Sequence, residues 1–218
     1  MSTLTKVALS FIGQLKPDRV KARAIAQSIR LPRPSTQGGI PLMQALAKRR
    51  SSREFSPDPL PQRVLSDLLW AAFGVNRPEG NGRTAPSARD AQEIDVYAAL
   101  PGGLYIYDPS AHSLTLVAAV DARNVTGYQD FVDEAPLDLV YVADHWHLSA
   151  SPSEERFAHS AVAVGAIAEN VYLYCASAGL ATVVRGWFDR AALSTALRLS
   201  EHEHIVVAQT VGYPRGYQ

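Results

Sequence analysis

Cationic and hydroxyl side chains are concentrated in one short segment, Lys48-Arg49-Arg50-Ser51-Ser52-Arg53. A guanidinium group makes paired, charge-assisted hydrogen bonds to a phosphate, and a serine hydroxyl adds a further donor. The segment is therefore a candidate phosphate-binding site. Basic side chains also accumulate at helix C-termini, where they complement the helix dipole, and spacing alone does not separate the two interpretations.

Two further segments combine polar side chains with proline or glycine. Residues 83–92 form a loop dense in hydrogen-bond donors ahead of a strand, with Pro86-Ser87-Ala88-Arg89 at its centre. Residues 179–189 contain a strand that ends at Gly186, beside an aromatic pair. A glycine at a strand end lets a flat ligand approach the backbone, but it can equally turn the chain. Each of these segments is a weak signal by itself.

Hydrophobic periodicity predicts the elements that must position these three segments. The predicted helices cover 42–50, 62–73, 151–177 and 190–199, and the predicted strands cover 94–100, 104–107, 114–119, 137–143, 181–184 and 205–211. The second and third of these strands form a predicted hairpin. Because helices and strands are interleaved without a regular strand-helix-strand alternation, the pattern predicts an α+β fold.

The longest predicted helix covers residues 151–177 and is apolar on nearly every face. Ser151 and Pro152 are expected at its N-cap and first helical position, and Gly179 is expected as its left-handed C-cap. A helix that is apolar all round must be covered by a sheet or by another subunit. One small domain offers little such cover, so the sequence predicts a central helix and a dimer.

Composition and charge limit the possible function classes. The 218 residues carry 21 basic and 21 acidic side chains, and 47% of them are hydrophobic, which predicts a soluble globular domain. A balanced charge lacks the clustered cations that bind nucleic acid or anionic membranes. The most apolar stretch, 160–180, contains Glu169 and Asn170, and the single cysteine, Cys175, excludes an intramolecular disulfide. These features predict a cytoplasmic protein that binds neither nucleic acid nor a membrane.

The N-terminal region differs in charge from the rest of the chain. Residues 1–34 carry seven basic side chains and one acid, and the proline- and glycine-rich stretch 31–39 is typical of an extended linker. The sequence therefore predicts a basic arm and linker over 1–38 and a main domain over 39–218. The arm could contact nucleic acid, but a modest helical stripe favours packing on the domain or on a partner subunit. The residues of this stripe are Val20, Ala24, Ile25 and Ile29.

Two histidine pairs have the spacing of metal ligands on one face of a strand, His145 with His147 and His202 with His204. Neither pair has a third ligand nearby in the sequence, so no metal site is predicted. The chain also lacks a Gly-x-Ser-x-Gly elbow, a Walker loop and a Gly-x-Gly-x-x-Gly motif. Hydrolase, nucleoside triphosphatase and dinucleotide-fold interpretations therefore lack their signatures.

Taken together, the order and spacing of four motifs resemble the FMN-dependent nitroreductase family. The motifs are Arg49 to Arg53, Pro86-Ser87, Gly179 to Asp189 and Gly212-Tyr213-Pro214-Arg215. The resemblance covers residues 39–215, which is most of the chain but leaves out the N-terminal arm. The loop from Ala85 to Ala88 and the hairpin that starts at Gly103 are closer to the SagB-type branch, which contains azoline-oxidising dehydrogenases.

The resemblance implies an α+β homodimer with a mixed, mainly antiparallel sheet flanked by helices, and with FMN held at the subunit interface. The first and last motifs would hold the phosphate and ribityl chain of FMN through Arg49, Arg50, Ser51, Arg53 and Arg215. The loop residues Pro86, Ser87, Ala88 and Arg89 would lie along the flavin ring or its polar edge. Backbone groups of Val184, Arg185 and Gly186 would approach the reactive central nitrogen of the ring. No side chain is assigned a catalytic role.

Two segments depart from the family pattern. Arg89 and Asp90 follow the Pro-Ser loop where many relatives have a small residue and an asparagine, which alters the expected contacts at the flavin edge. Arg185 stands where many relatives have an apolar or small residue. A cation near the flavin would favour an anionic substrate or stabilise the reduced, anionic ring. The alternative is a surface arginine that is paired with an acid.

The activity that this resemblance implies is an FMN-dependent oxidoreductase. It would pass two electrons from NADH or NADPH to a nitroaromatic, a quinone or a similar flat acceptor, with the two substrates taking turns at one site in a ping-pong mechanism. An alternative keeps FMN but dehydrogenates an azoline-like or other small substrate, with oxygen as the acceptor. A further alternative is a flavin-binding module without turnover.

Overall fold

The computed structural model describes residues 27–216. Its strands are β1 (Ser28–Arg30), β2 (Val75–Arg77), β3 (Gly82–Arg83), β4 (Ile94–Leu100), β5 (Gly103–Asp108), β6 (Ser113–Ala118), β7 (Leu137–Asp144), β8 (Ala181–Arg185) and β9 (Glu203–Gly212). Seven of them form one sheet in the order β1-β6-β5-β4-β7-β9-β8, while β2 and β3 form a separate pair. Every pair of neighbouring strands in this sheet is antiparallel.

Four α-helices flank the sheet in the described part of the chain. They are α1 (Leu42–Lys48), α2 (Gln62–Phe73), α3 (Ser153–Ala178) and α4 (Arg190–Leu197). Apolar residues of α2 and α3 pack together against one face of the sheet, and those of α4 pack against the other face. The observed architecture is thus α+β with an antiparallel sheet between helices, as predicted.

The alternation of side chains along β4 shows why the sheet is buried on both faces. Ile94, Val96 and Ala98 belong to the core with α2 and α3, whereas Tyr97 and Ala99 belong to the core with α4. Successive residues of a strand point to opposite faces, so an almost continuous apolar run is required when both faces are covered. The strands predicted from such runs agree with β4 to β9 to within one or two residues at each end.

Helix α3 is the long apolar helix that the sequence predicts. It begins at Ser153, so Pro152 occupies the N-cap expected for Ser151 and is not the first helical residue. Gly179, whose φ is 72°, follows Ala178 as the left-handed C-cap, as predicted. One side of the helix is buried against the sheet, but Phe157 and Val162 remain 59% and 72% exposed. The described chain therefore covers only part of this helix.

The length and mean hydropathy of α3 would also suit a membrane-spanning helix. Its most apolar window has a mean hydropathy of 1.3, and 39% of that window is buried inside the described chain. The buried side of α3 contributes Ala163, Ile167 and Val171 to the core that it forms with α2 and one face of the sheet. Packing of this kind is typical of a core helix in a globular domain.

The N-terminal edge of the described chain differs from its prediction. Ile29 was expected on a helical stripe, but Ser28–Arg30 is a strand that pairs with β6, and Leu31 is buried in the core. The other residues of that stripe lie outside the described range. The boundary between arm and domain at residue 38 stays a prediction, although residues 28–31 already pack on the sheet.

The predicted linker is extended and attached to the domain along its length. Ser66 Oγ donates to the carbonyl oxygen of Pro32 at 2.6 Å, and the backbone N–H of Ser35 donates to Asp67 at 2.7 Å. Further along, the N–H of Ile40 donates to Ser177 Oγ at 3.0 Å, near the C-terminus of α3. The segment therefore ties the edge of the sheet to α2 and α3.

Candidate functional site

The basic segment begins where α1 ends. Lys48 is the last residue of α1, and the N–H of Arg49 donates to Ala45 O at 2.8 Å as the helix C-cap. Beyond this cap the chain is extended, and the N–H of Ser52 donates to the carbonyl oxygen of Thr182 at 2.9 Å. Lys48 lies in the last turn of α1, where its positive charge complements the helix dipole. The residues that follow it lie beside strand β8.

The last motif lies against the same segment. The N–H of Ser56 donates to Tyr213 O at 2.8 Å, and the N–H of Arg215 donates to Glu54 O at 3.2 Å. Phe55 and Pro214 form an isolated antiparallel bridge between these two contacts. Backbone hydrogen bonds therefore bring together the first and last motifs, which are distant in the sequence.

A cavity of about 440 Å³ opens between these segments, α3 and the start of β8, and we call it the basic cavity. It is lined by Ala47, Lys48, Arg49, Arg50, Ser52, Tyr172, Cys175, Ala176, Gly179, Leu180, Ala181, Thr182 and Pro214. The lining contains three cationic side chains and no carboxylate. Converging cations and hydroxyl groups suit a phosphate, so the residues present fit the phosphate end of a cofactor such as FMN.

Tyr172 connects the parts of this site. Its hydroxyl group lies 2.9 Å from Ser51 Oγ and accepts a hydrogen bond from the N–H of Val184 at 3.0 Å. The guanidinium carbon of Arg49 lies 5.2 Å from the centre of the Tyr172 ring. The apolar pattern of residues 151–177 predicts only a packed helix at this tyrosine, although a phenol in an apolar helix generally needs a polar partner.

Cys175 lines the basic cavity one turn further along α3. Its side chain is almost fully buried, and burial raises the pKa of the thiol well above its usual value. A thiol with a raised pKa is a poor nucleophile near neutral pH. Cys175 therefore serves as a packing residue of the cavity rather than as a nucleophile.

The comparisons with known proteins agree on one family. A model of the nitroreductase family matches residues 46–213 of the chain. A protein named as a nitroreductase in Methanocaldococcus jannaschii is 31% identical over 173 residues, which covers 75% of this chain and 87% of that protein. The chain belongs to the nitroreductase family. Membership in this family makes it an oxidoreductase and confirms the resemblance found in the four motifs.

Solved structures of other proteins show the same fold. The structure of a protein named as a nitroreductase from Ralstonia eutropha JMP134 is 54% identical, covers 87% of this chain and 90% of its own, and has a TM-score of 0.83. The NADPH:FMN oxidoreductase of Vibrio harveyi, solved with NAD⁺, is 20% identical, covers 80% of this chain and 69% of its own, and has a TM-score of 0.60. At 20% identity, the second likeness shows the fold alone.

The structure separates the predicted phosphate ligands of this nitroreductase-family chain into two groups. Arg49 and Arg50 line the basic cavity, and Ser51, which is not itself a lining residue, places its hydroxyl 2.9 Å from that of the lining residue Tyr172. Arg53 and Arg215 do not belong to the lining. Instead, the guanidinium of Arg215 forms an ion pair with Glu134 at 2.5 Å, in which both side chains are at least half exposed.

The loop Pro86-Ser87-Ala88-Arg89 lies against a different cavity, of about 570 Å³. Pro86 and Ser87 line this second cavity, whereas Ala88 and Arg89 do not. The loop is held by the N–H of Gln92, which donates to Ser87 Oγ at 2.9 Å, and Arg89 has a left-handed backbone with a φ of 55°. Within one chain, the loop and the basic segment therefore do not share a cavity.

Arg185 ends strand β8, and its side chain is buried rather than directed toward the basic cavity. The guanidinium donates to Asp138 at 2.5 Å, to Thr210 Oγ1 at 2.7 Å and to the carbonyl oxygen of Thr126 at 2.6 Å. Val184 packs against the core with α3, and the strand alternation places its neighbour on the opposite face. The predicted pairing with an acid is therefore confirmed, but the pair is buried rather than on the surface.

The buried pair of Arg185 and Asp138 is electrostatically costly. Burial raises the pKa of Asp138 to about 6, and the positive charge of Arg185 and the hydrogen bonds from threonine hydroxyl groups act in the opposite direction. Burial also lowers the pKa of Arg185. A Cβ atom at Gly127 would lie 2.1 Å from Arg185 Nη1, so this glycine allows the loop after Thr126 to approach the pair.

An aromatic pair follows the end of β8. The rings of Tyr128 and Trp187 lie 5.4 Å apart, and the N–H of Tyr128 donates to the carbonyl oxygen of Trp187 at 3.2 Å. Their side chains are 56% and 67% exposed. Arg185 lies two residues before Trp187 and donates a hydrogen bond to the carbonyl oxygen of Thr126, which lies two residues before Tyr128. The buried guanidinium therefore fixes the backbone of both segments that carry the aromatic pair.

The histidine pairs do not build a metal centre in the described range. Between residues 27 and 216, no three His, Cys, Asp or Glu side chains are arranged to hold a metal ion. The rings of His145 and His204, one from each pair, lie 4.5 Å apart. Burial and the neighbouring His204 lower the pKa of His145, so both observations favour a packed, neutral His145 imidazole near neutral pH.

Proposed function

We propose that the chain is an FMN-dependent oxidoreductase that passes two electrons from NADH or NADPH to a nitroaromatic, a quinone or another flat acceptor. The observation that carries this proposal is the basic cavity, whose three cations lie beside Tyr172 and the start of β8. Family membership supports an oxidoreductase. The described aromatic pair next to the end of β8 supports a flat acceptor.

In this proposal, the cations of the basic cavity bind the phosphate of FMN. Arg49 and Arg50 would do so together with Lys48, and backbone groups of Val184 to Gly186 would approach the ring. FMN supplies the redox chemistry when it is bound, while the protein binds and orients it. Arg53 and Arg215 do not line the cavity, and Glu134 already compensates the charge of Arg215, so both would contribute at most a longer-range attraction to the phosphate.

A second copy of the chain would complete the site. The loop Pro86-Ser87-Ala88-Arg89 and the basic segment line different cavities of one chain, so a homodimer is the simplest way for both to contact one flavin. Exposed apolar residues on α1 and α3 offer a surface for such a dimer. They are Leu42, Met43, Leu46, Phe157 and Val162.

Replacing Val162 with Asp should convert the dimer into a monomer. The side chain is 72% exposed on α3, and a carboxylate buried in an apolar interface would be desolvated without a partner. Light scattering of the purified protein measures this change. Val120→Asp, at an exposed apolar position in the loop after β6, is the control and should stay dimeric. A wild-type protein that is monomeric with FMN bound would contradict the dimer.

Absorbance and initial-rate measurements test the proposed activity. The protein should carry stoichiometric FMN, either as purified or after reconstitution, and NADH or NADPH should bleach its visible bands. Because both substrates use the same flavin in turn, rates at varied NAD(P)H and acceptor should give parallel double-reciprocal lines. Intersecting lines would exclude the alternating scheme.

The same experiment separates the two alternative functions. A flavin that stays oxidised with both nicotinamides, yet is reduced by an azoline-like substrate and reoxidised by oxygen, would indicate a dehydrogenase. A flavin that no donor reduces would indicate a binding module. A protein that binds no FMN would overturn the proposal as a whole.

A further inference from the structure

The hydroxyl group of Tyr172 lies between two groups that the proposed flavin site needs in fixed positions. One is the N–H of Val184, near the end of β8, and the other is the hydroxyl of Ser51 in the basic segment. The phenol belongs to α3, so it joins three separate elements at one atom. Its ring also carries the Arg49 guanidinium on its face, at 5.2 Å.

The chemistry of these groups restricts the direction of the hydrogen bonds. A backbone N–H can only donate, so the phenol oxygen of Tyr172 must accept the bond from Val184. The phenol has a single hydrogen, and either it or Ser51 can donate in the bond between them. An anion near Ser51 removes this freedom, because the serine hydrogen then bonds to the anion and the phenol hydrogen must bond to Ser51.

We propose that Tyr172 is a positioning residue that links the end of β8 to the phosphate site through one directed chain of hydrogen bonds. The chain runs from the N–H of Val184 to the Tyr172 hydroxyl, then to the Ser51 hydroxyl, and then to the phosphate of FMN. This inference rests on the proposed function. Hydrogen bonds aligned in one direction polarise and strengthen one another, so phosphate binding tightens the contact to Val184.

The affinities for FMN and for riboflavin test this series of hydrogen bonds. Riboflavin has the ring of FMN but no phosphate, so it does not align the Ser51 hydroxyl. Tyr172→Phe and Ser51→Ala should each weaken FMN binding about tenfold, the size of one hydrogen bond to a charged group. Both variants should bind riboflavin within about twofold of the wild type. The double variant should be little weaker than either single variant, because both changes break the same chain.

Tyr174→Phe is a matched control on the same helix. Its hydroxyl donates to the carbonyl oxygen of Val64 at 3.4 Å, on α2 and away from the basic cavity. This change should leave the affinity for both flavins unchanged. Circular dichroism and thermal unfolding of each variant distinguish a loss of these hydrogen bonds from a loss of the fold.

Hydrogen–deuterium exchange tests the proposed series of hydrogen bonds without changing Tyr172. FMN should slow exchange of the Val184 amide more than riboflavin does, and Ser51→Ala should abolish that difference. Ser51 is exposed, so its replacement leaves the fold intact. Three results would overturn this inference without affecting the proposed function. They are additive losses of affinity in the double variant, equal losses for the two flavins, and equal slowing of Val184 amide exchange by FMN and riboflavin. A wild type that binds neither flavin would overturn the proposed function, and the inference with it.

Discussion

Replacing Arg49 with Ala should weaken FMN binding by about 1.5 to 3 kcal/mol, or roughly ten- to 150-fold in the dissociation constant. Arg49 lines the basic cavity, and its guanidinium is held over the Tyr172 ring. A held guanidinium loses little conformational freedom when it binds a phosphate, so its removal has a large effect. Titration of the apoprotein with FMN, followed by flavin fluorescence, measures the change.

Riboflavin and a neighbouring arginine are the controls for this prediction. Riboflavin lacks the phosphate, so Arg49→Ala should leave its affinity nearly unchanged. Arg53→Ala removes the same charge from the same segment but from outside the cavity lining, and it should cost clearly less. Equal losses for Arg49→Ala and Arg53→Ala would show that the phosphate does not bind in the basic cavity.

Replacing Arg185 with Ala should destabilise the fold by about 3 to 5 kcal/mol, the usual effect of leaving a buried charge without its partner. Asp138 is fully buried, and its Oδ1 accepts the bond from Arg185. Urea unfolding at pH 8 measures the loss. The control is Glu134→Gln, which breaks an exposed pair with Arg215 and should cost less than about 1 kcal/mol.

The destabilisation of Arg185→Ala should shrink as the pH falls. Burial raises the pKa of Asp138 to about 6, so the folded state binds a proton more readily than the unfolded state does. The stabilising effect of that proton is complete below the unfolded pKa of about 3.9 and is lost as the pH rises through about 6. Because Arg185 opposes the upward shift, its removal raises the pKa of Asp138 further, so the variant gains more from protonation and its loss at pH 5 should be smaller than its loss at pH 8. An equal loss at both values would mean that Asp138 stays ionised at pH 5.

Periodic elements of the fold could be predicted from the sequence because their patterns are long. Strand β4 and helix α2 were predicted with their observed bounds, and Gly179 marked the end of α3 through its left-handed conformation. Strand β1 has only three residues, and it forms because β6 would otherwise expose an unpaired edge. Such a short strand depends on pairing with its neighbour, so the local sequence pattern does not predict it.

The candidate site could be predicted as segments but not as an arrangement. Arg49 and Arg50 were predicted as phosphate ligands and line the basic cavity. Tyr172 was missed, since helical periodicity does not show that a phenol meets Ser51 and Val184 across the fold. The burial of Arg185 was missed as well, because its partner Asp138 lies on a strand distant in the sequence.

The hydrogen bonds that close the basic cavity also set when it can form during biosynthesis. Ser52 bonds to Thr182, and Ser56 bonds to Tyr213, so early and late parts of the chain meet there. Closing such long loops is slow, because the entropy cost is met before the contacts form. A nascent chain still on the ribosome lacks the cavity until residue 214 has been made and has emerged. Under the proposed function, FMN would therefore bind late, and a product truncated before residue 214 would lack part of the cavity lining.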